Sequence, residues 1–265
     1  MTVSIITINL NNLRGLRKTM ESVLAQDCRF YEWIVIDGGS TDGSLELIEQ
    51  NHDKITYWVS EADGGIYEAM NKGVDVSTGD YLQFLNSGDC LANSSIISSF
   101  IEKQFQSDII YGNAIIVDEK DKMIEEYYAP DFVRLSYFWS HSLNHQSSFF
   151  HKRCFKQFRY NEQNKIASDT ELFMQLLYYG YTFEKWDRFV ERFEIGGLSS
   201  LESYSDEFND IVNRLLPSGV KADYEEIIQN RDVDLYILIR RIIASKRWVR
   251  NLARLALFPF RLFLN

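Results

Sequence analysis

The sequence predicts an α/β fold in which a mostly parallel sheet is flanked by helices and followed by a C-terminal helical tail. In the first half of the chain, short apolar runs rich in β-branched residues alternate with segments of helical periodicity. Each apolar run ends in a polar or glycine-rich loop. Because the carboxyl ends of parallel strands meet at one edge of an open sheet, we expect a ligand site at that edge.

The individual elements follow from apolar spacing and from the loops that bound each segment. The predicted strands are 3–8, 32–37, 55–60, 80–86, 109–117, 123–128, 147–152 and 181–193. The predicted helices are 16–26, 44–50, 66–76, 170–179 and 204–216. The strands at 109–117 and 123–128 flank the polar stretch DEKDK, which predicts a hairpin.

The charge is unevenly distributed along the chain. The net charge is −10, yet residues 235–265 contain seven basic residues and no acid. An acidic body argues against broad nucleic-acid binding. Four arginines fall on one face of a predicted tail helix: Arg240, Arg247, Arg250 and Arg254. This basic amphipathic segment predicts peripheral membrane contact, the alternative being a helix that packs on the body or in a dimer.

Cysteine usage indicates a reducing compartment. Cys28, Cys90 and Cys154 are widely separated, and no Cys-x-x-Cys pair occurs. This argues against a disulfide framework or a zinc site. The chain starts directly with a strand-like run, and no uninterrupted apolar stretch approaches the ~20 residues that span a bilayer. We therefore expect a cytoplasmic protein at the inner face of the cell membrane.

Acidic residues follow three of the predicted parallel strands. Asp37 ends the second strand, Glu61 and Asp63 follow the third, and Asp89 follows the fourth. Gathered at one edge, these carboxylates would repel each other unless a cation or hydrogen-bond donors offset their charge. A divalent metal bound to a diphosphate is one solution. The alternative is local, since acids in such loops also form turns and helix caps.

The loop after the first predicted strand excludes two classes of nucleotide-binding enzyme. Its sequence is NLNNLRG, without the Gly-x-Gly-x-x-Gly of dinucleotide-binding enzymes. The glycine-rich loop expected at this position in a nucleotidyltransferase is missing as well. In addition, no P-loop comes after any predicted strand.

Four motifs in order carry a family resemblance: VSIITINLNN, WIVIDGGSTDGS, SEADGGIYEAMNKG and GDYLQFLNSGD. Together they resemble family 2 glycosyltransferases of the GT-A fold, a Rossmann-like mixed sheet. DGGIYEAMNKG, with the later HQSSFF and GGLSS, is similar to the branch that builds bacterial cell-surface polysaccharides. The resemblance covers roughly residues 1–200, and the ordered set is far more specific than any single motif.

The resemblance implies a domain division and an activity. Residues 1–205 would form the GT-A domain, with a nucleotide-sugar half over 1–110 and an acceptor half over 111–205. Residues 206–265 would form the helical region with the basic segment. The implied activity is inverting transfer of a sugar from a nucleotide-sugar donor, expected to be UDP-linked, to a saccharide or lipid-linked acceptor, with Mn²⁺ or Mg²⁺. The alternative is a non-catalytic nucleotide- or sugar-binding protein on the same fold.

The resemblance also assigns donor-binding residues. Thr7 and Asn9 would line the nucleoside pocket, Asp37 would contact the base, and Ser40 would shape its loop. The residues implied to border the ribose and diphosphate are Gly64, Gly65, Asn71, Lys72 and Asn86. Glycines before a helix also allow a phosphate to come close to the backbone amides. Lys72 could supply positive charge to the phosphate, or it could be an ordinary surface lysine.

The acid motif of the family, Asp-x-Asp, is altered in this chain. The aligned residues are NSGD, so that Asn86 replaces the first acid and Gly88 a middle one. Asp89 keeps the position of the metal contact. With two acids fewer, we expect metal affinity to depend more on the donor diphosphate.

The catalytic base implied by the resemblance is Asp169, because an acceptor hydroxyl must lose a proton to a nearby carboxylate. Ser168 precedes it where the family usually has a second acid. Glu171 is the reserve candidate, and the alternative for Asp169 is an acid in the first turn of a helix. His145 and Gln146 are expected to border the site, His145 as a contact to phosphate or metal, or else as a structural histidine.

Overall fold

The computed structural model describes residues 1–138, 141–196 and 204–222. One compact unit comprises Met1–Ile211, and a second begins at Val212. The predicted basic tail helix and most of the GGLSS motif lie outside the described residues, and the predicted boundary after residue 205 stays a prediction. Over the described part of the chain, no helix has the length and apolar character needed to cross a bilayer.

The described residues form nine strands and six α-helices. The strands are β1 (Val3–Asn9), β2 (Tyr31–Asp37), β3 (Tyr57–Ser60), β4 (Tyr81–Phe84), β5 (Cys90–Leu91), β6 (Ile109–Val117), β7 (Met123–Tyr127), β8 (Ser148–His151) and β9 (Phe183–Glu194). The helices are α1 (Leu13–Leu24), α2 (Ser44–Gln50), α3 (Ile66–Val76), α4 (Ile96–Lys103), α5 (Ser168–Tyr178) and α6 (Tyr204–Leu215).

The strands form one mixed sheet in the order β3-β2-β1-β4-β8-β6-β9-β5, with β7 paired to β6. The first four strands are parallel to each other, as expected for βαβ units. β8 lies antiparallel between β4 and β6, and β6 runs parallel to β9. The α/β prediction and the β6–β7 hairpin are confirmed.

Helices cover both faces of the sheet. On one face, Leu16 and Met20 of α1 and Phe100 of α4 belong to a buried cluster with Ile5 and Trp33 of the strands. Their spacing along α1 is that of an apolar helix stripe. The loops that follow the parallel strands all lie at the carboxyl edge of the sheet, and α1 and α4 pack against this face beside them.

The opposite face is closed by α3 and α5. Phe150 of β8 packs on Phe173 of α5, with ring centroids 5.2 Å apart. α3 approaches β1 so closely that a β-carbon on Gly73 would lie 2.4 Å from the side chain of Ile6. Glycine is therefore required at this contact, which brings the start of α3 to the carboxyl edge.

Candidate active site

The first part of the site surrounds Asp37 at the end of β2. Its carboxylate accepts hydrogen bonds from the Asn9 amide (2.7 Å), the Ser40 hydroxyl (2.6 Å) and amide (2.9 Å), and the Ser60 hydroxyl (2.6 Å). Burial alone would raise the pKa of Asp37, but the hydrogen bonds from Ser40, Ser60 and Asn9 outweigh it and lower the pKa. Asp37 thus stays ionised and ties the ends of β1, β2 and β3 together.

Thr7 and Asn71 have their polar groups turned inward. Thr7 is fully buried, and its hydroxyl accepts a hydrogen bond from the indole of Trp33 at 3.0 Å. The Asn71 amide donates to the Tyr160 carbonyl (2.9 Å) and to Glu162 (2.8 Å), and it accepts from the Tyr160 amide (3.1 Å). Both side chains brace the walls of the site, and the structure does not bring either to its surface.

In and around the loop before α3, nearby carboxylates bind the groups that are predicted to contact phosphate. The Gly64 amide donates to Glu68 at 2.7 Å, and the Gly65 amide donates to Asp63 at 3.1 Å. Lys72 forms ion pairs with Glu61 (2.9 Å) and Glu68 (3.2 Å). Neighbouring carboxylates thus already occupy the two amides and the lysine, and the phosphate-binding role of these residues stays a prediction. A phosphate would have to displace those carboxylates.

The loop over residues 86–89 is fixed by α1. The Thr19 hydroxyl donates to the Asp89 carbonyl at 2.7 Å and accepts from the Gly88 amide at 3.0 Å. Asn12 donates to the Ser87 carbonyl at 2.9 Å. Gly88 adopts φ +111°, a conformation that side-chain-bearing residues rarely adopt. The glycine in the altered acid motif is therefore explained by backbone geometry.

Asp89 lies at the floor of the site with 5% of its surface exposed. Its carboxylate accepts from the Gln146 side-chain amide at 3.1 Å and from the Glu194 backbone amide at 3.3 Å. Burial raises the pKa of Asp89 to about 6, although the hydrogen bonds from Glu194 and Gln146 act in the opposite direction. At neutral pH the group is thus a desolvated carboxylate, which favours association with a cation.

Two glutamates on β9 support this floor, and neither was predicted. Glu191 is fully buried, and its burial, together with the nearby Asp89, raises its pKa well above the ordinary range. Glu194 pairs with Lys18 at 3.0 Å and with Arg14, both on α1. Because the Glu194 amide donates to Asp89, this ion cluster fixes the end of β9 against the carboxylate.

Asp169, the predicted catalytic base, lies at the start of α5. One of its oxygens is 3.2 Å from Nδ1 of His145. The side chains of His145 and Asp169 are 12% and 15% exposed. In the tautomer that carries its proton on Nδ1, His145 donates to Asp169 and leaves Nε2 as an acceptor. This contact between a loop and a helix start was not visible in the sequence.

Glu171, the reserve candidate for the base, has a structural place. Its carboxylate accepts from the Asn164 side chain at 2.7 Å and the Asn161 side chain at 3.1 Å, and only 3% of the residue is exposed. It thus holds the loop that leads into α5. Between the two acids, Asp169 is the one that contacts another predicted site residue, His145.

Consecutive residues connect Asp169 and Asp89. His145 contacts Asp169, and Gln146 contacts Asp89. The Gln146 carbonyl is in turn fixed by the Gln83 side chain of β4 at 3.0 Å. The stretch that precedes β8 therefore brings the predicted base and the predicted metal contact into one site.

Three predicted site residues carry buried polar atoms that lack a hydrogen-bond partner within the described part of the chain. These atoms are Asn9 Oδ1, Asn86 Oδ1 and His145 Nε2. Buried polar groups without partners are uncommon, and each calls for an explanation such as a ligand. Within the described residues, five more such atoms lie outside the predicted set, on Ser44, Gln83, Tyr160 and Glu191, so these three are consistent with a ligand but do not by themselves locate one.

The donor set at Asp89 fits a divalent cation that takes only part of its shell from the protein. Asp89 offers a carboxylate and Asn86 an unpaired amide oxygen, both ligands that Mg²⁺ and Mn²⁺ accept. In residues 1–138, 141–196 and 204–222, no three His, Cys, Asp or Glu side chains converge as a closed metal site. The remaining ligands would have to come from a diphosphate and water.

Comparison with protein families shows which family the chain belongs to. The family model described as glycosyl transferase family 2 matches residues 4–173, which include Asp37, Asp89, His145 and Asp169. The chain belongs to glycosyltransferase family 2. The match runs from the first residues of β1 into α5, so the whole predicted site of this family 2 protein lies inside the family region.

Curated relatives of this family 2 protein are similar to part of the chain. The uncharacterized glycosyltransferase Rv1514c of Mycobacterium tuberculosis strain H37Rv is 44% identical over 102 residues, which cover 38% of this chain and 39% of the relative. The PGL/p-HBAD biosynthesis glycosyltransferase Rv2957 of the same strain is 34% identical over 119 residues, covering 43% and 46%. The chain thus spans less than half the length of these relatives.

Solved structures establish the GT-A fold. Residues 1–349 of S. aureus TarS in complex with UDP superpose with a TM-score of 0.63 at 17% identity, covering 84% of this chain and 69% of that TarS segment. The mannosyltransferase PcManGT from Pyrobaculum calidifontis, in complex with GDP-Man and Mn²⁺, gives a TM-score of 0.56 at 13% identity, covering 94% and 82%.

Proposed function

We propose that the protein transfers a sugar, with inversion, from a nucleotide-sugar donor to a hydroxyl of a saccharide or lipid-linked acceptor. The observation that carries this proposal is the joining of Asp169 and Asp89 through His145 and Gln146. One carboxylate is then available for the acceptor proton while the other faces the leaving diphosphate. Family membership and the fold support the proposal.

The reaction assigns a distinct role to each group. Asp169 takes the proton of the acceptor hydroxyl while the hydroxyl oxygen attacks the anomeric carbon. The bond between that carbon and the diphosphate oxygen breaks, and the nucleotide leaves with the electron pair. His145 holds Asp169 in orientation through Nδ1. A divalent cation held by Asp89, with Asn86 beside it, would supply positive charge to the leaving diphosphate.

We further propose a UDP-linked donor. TarS, which shares the fold, is described in complex with UDP and with UDP-GlcNAc. At the end of β1, the exposed Leu10 and Asp63 lie beside Gly38, where an apolar surface and a hydrogen-bond acceptor suit a base. PcManGT is described with GDP-Man, so direct competition between UDP and GDP is the appropriate comparison.

The proposed place of action is the inner face of the cell membrane, where lipid-linked acceptors are found. The support is the sequence of residues 235–265, with seven basic residues and no acid. Flotation with vesicles containing anionic lipid tests this point, using the full chain and a chain that ends at residue 234. Equal binding by both would show that residues 235–265 do not bring the protein to the membrane.

The test of the activity is metal-dependent release of nucleotide. A thermal-shift screen of nucleotide sugars with Mn²⁺ identifies the donor that stabilises the folded state, because a ligand that binds only the folded state raises its melting temperature. Nucleotide release from that donor is then measured with Mn²⁺, with Mg²⁺ and with EDTA. We expect turnover with a metal and none with EDTA.

Two variants sharpen this test. Asp89→Asn should lose metal-dependent turnover, whereas Asp75→Asn, which removes an exposed acid paired with Arg159, should retain it. Donor stabilisation without release under any metal condition would instead favour a non-catalytic nucleotide- or sugar-binding protein.

A further inference from the structure

One carboxylate from α6 binds three successive backbone amides. Glu207 accepts hydrogen bonds from the amides of Lys165 (2.5 Å), Ile166 (2.9 Å) and Ala167 (2.7 Å). Three consecutive N–H groups directed at one anion form a concave anion-binding arrangement. Glu207 lies 34 residues beyond the end of the family match at residue 173, so the match does not include it.

The three amides immediately precede the helix that carries Asp169. Ala167 is the N-cap of α5, and its carbonyl accepts from the Glu171 amide at 2.9 Å. Ala167 and Ser168 are both fully buried. A shift of these residues would therefore move the first turn of α5, and with it the carboxylate of Asp169.

The same loop is fixed independently from α5 itself. The Ser168 hydroxyl accepts from the Asn161 amide at 2.5 Å, and Glu171 accepts from Asn161 and Asn164. These bonds hold residues 161–164, whereas Glu207 holds residues 165–167. Glu207 thus fixes the three residues that lead directly into the first turn of α5.

We propose that Glu207 is a positioning residue for the catalytic base, holding the start of α5 so that Asp169 meets His145. The proposal rests on the function proposed above for Asp169. The reason is the cost of leaving polar groups unpaired: without the Glu207 carboxylate, three amides need new acceptors, and the loop shifts to find them. Catalysis depends on placement of the base to within about 1 Å.

The experiment compares Glu207→Gln and Glu207→Ala with Asp210→Asn, which neutralises an exposed acid on the same helix. Three quantities are measured on the full chain: the maximal rate of nucleotide release, the Kd for UDP with Mn²⁺, and hydrogen exchange of the peptide over residues 161–170. We expect both Glu207 variants to lose rate about 10- to 100-fold while Kd stays within about twofold. Exchange should increase over 165–167, and Asp210→Asn should match wild type.

A double variant separates positioning of the base from general loss of structure. If Glu207 acts through Asp169, adding Glu207→Gln to Asp169→Asn should cause no further loss of rate. An additional loss as large as in the wild-type background, or a wild-type rate in both Glu207 variants, would overturn the proposal. A wild-type rate in Asp169→Asn would instead overturn the base assignment itself, and with it the role of Glu207.

Discussion

Asp89 is a buried carboxylate, and its replacement by a neutral side chain should change the stability of the folded protein. In Asp89→Asn the side chain keeps its shape and can still bond to Gln146 and to the Glu194 amide, but it carries no charge. In the wild-type protein, burial raises the pKa of Asp89 from 3.8 to about 6. The folded state therefore tolerates the charge less well than the unfolded chain does.

The magnitude follows from the pKa difference. Raising the pKa of a carboxyl group from 3.8 to about 6 corresponds to a cost of up to about 3 kcal/mol for its charged form, which the Asn variant avoids. Since the folded pKa exceeds the unfolded one, the cost is full above pH 6 and is absent below 3.8. We therefore predict that Asp89→Asn unfolds roughly 6–12 °C higher than wild type at pH 7.5, and that this difference becomes smaller as the pH is lowered to 4.5.

The assay is thermal unfolding followed by circular dichroism from pH 4.5 to 8 in EDTA, with Asp75→Asn as the control for loss of an exposed acid. In a second series without EDTA, addition of UDP and Mn²⁺ should stabilise the wild-type protein and not Asp89→Asn. A lower melting temperature for Asp89→Asn at pH 7.5, or a difference that does not change with pH, would refute the reasoning about the buried charge.

Two further substitutions test other parts of the site. His145→Gln removes the imidazole that contacts Asp169, so we predict a loss of turnover of about 100-fold with an unchanged Kd for UDP, measured by nucleotide release and calorimetry. Wild-type turnover in this variant would show that the contact is not needed. Gly88→Ala forces a side chain into φ +111°, although the nearest atom would be 3.7 Å away. We predict roughly 1–2 kcal/mol of destabilisation from backbone strain in urea unfolding, and equal stability would contradict the strain argument.

Much of the fold follows from local sequence pattern. α2 and α3 begin and end where the sequence predicts, because turn residues and glycines bound them clearly. The two-residue strand β5 was not predicted, since it is too short to show periodicity and exists only through pairing with β9. The insertion of β8 between β4 and β6 is likewise a long-range pairing that no local pattern specifies.

Site residues that belong to sequence motifs could be predicted, whereas residues whose role depends on tertiary contacts could not. Asp89 and Asp169 were found from their motifs, and the structure brings both beside the His145–Gln146 stretch. Glu191 lies in a strand of alternating charged and aromatic residues, where a buried glutamate has the same pattern as an exposed one. Glu207 has the appearance of an ordinary acid in the first turn of a helix, and its target amides lie about 40 residues earlier in the chain.

Nucleotide release by Asp169→Asn is the measurement that bears most directly on the proposed catalytic site. The substitution keeps the shape of the side chain and removes its ability to accept a proton as a base. We predict wild-type affinity for UDP with Mn²⁺ by calorimetry and a loss of metal-dependent release of at least about 100-fold. Release at the wild-type rate, with affinity unchanged, would contradict the assignment of Asp169 and Asp89 to one catalytic site.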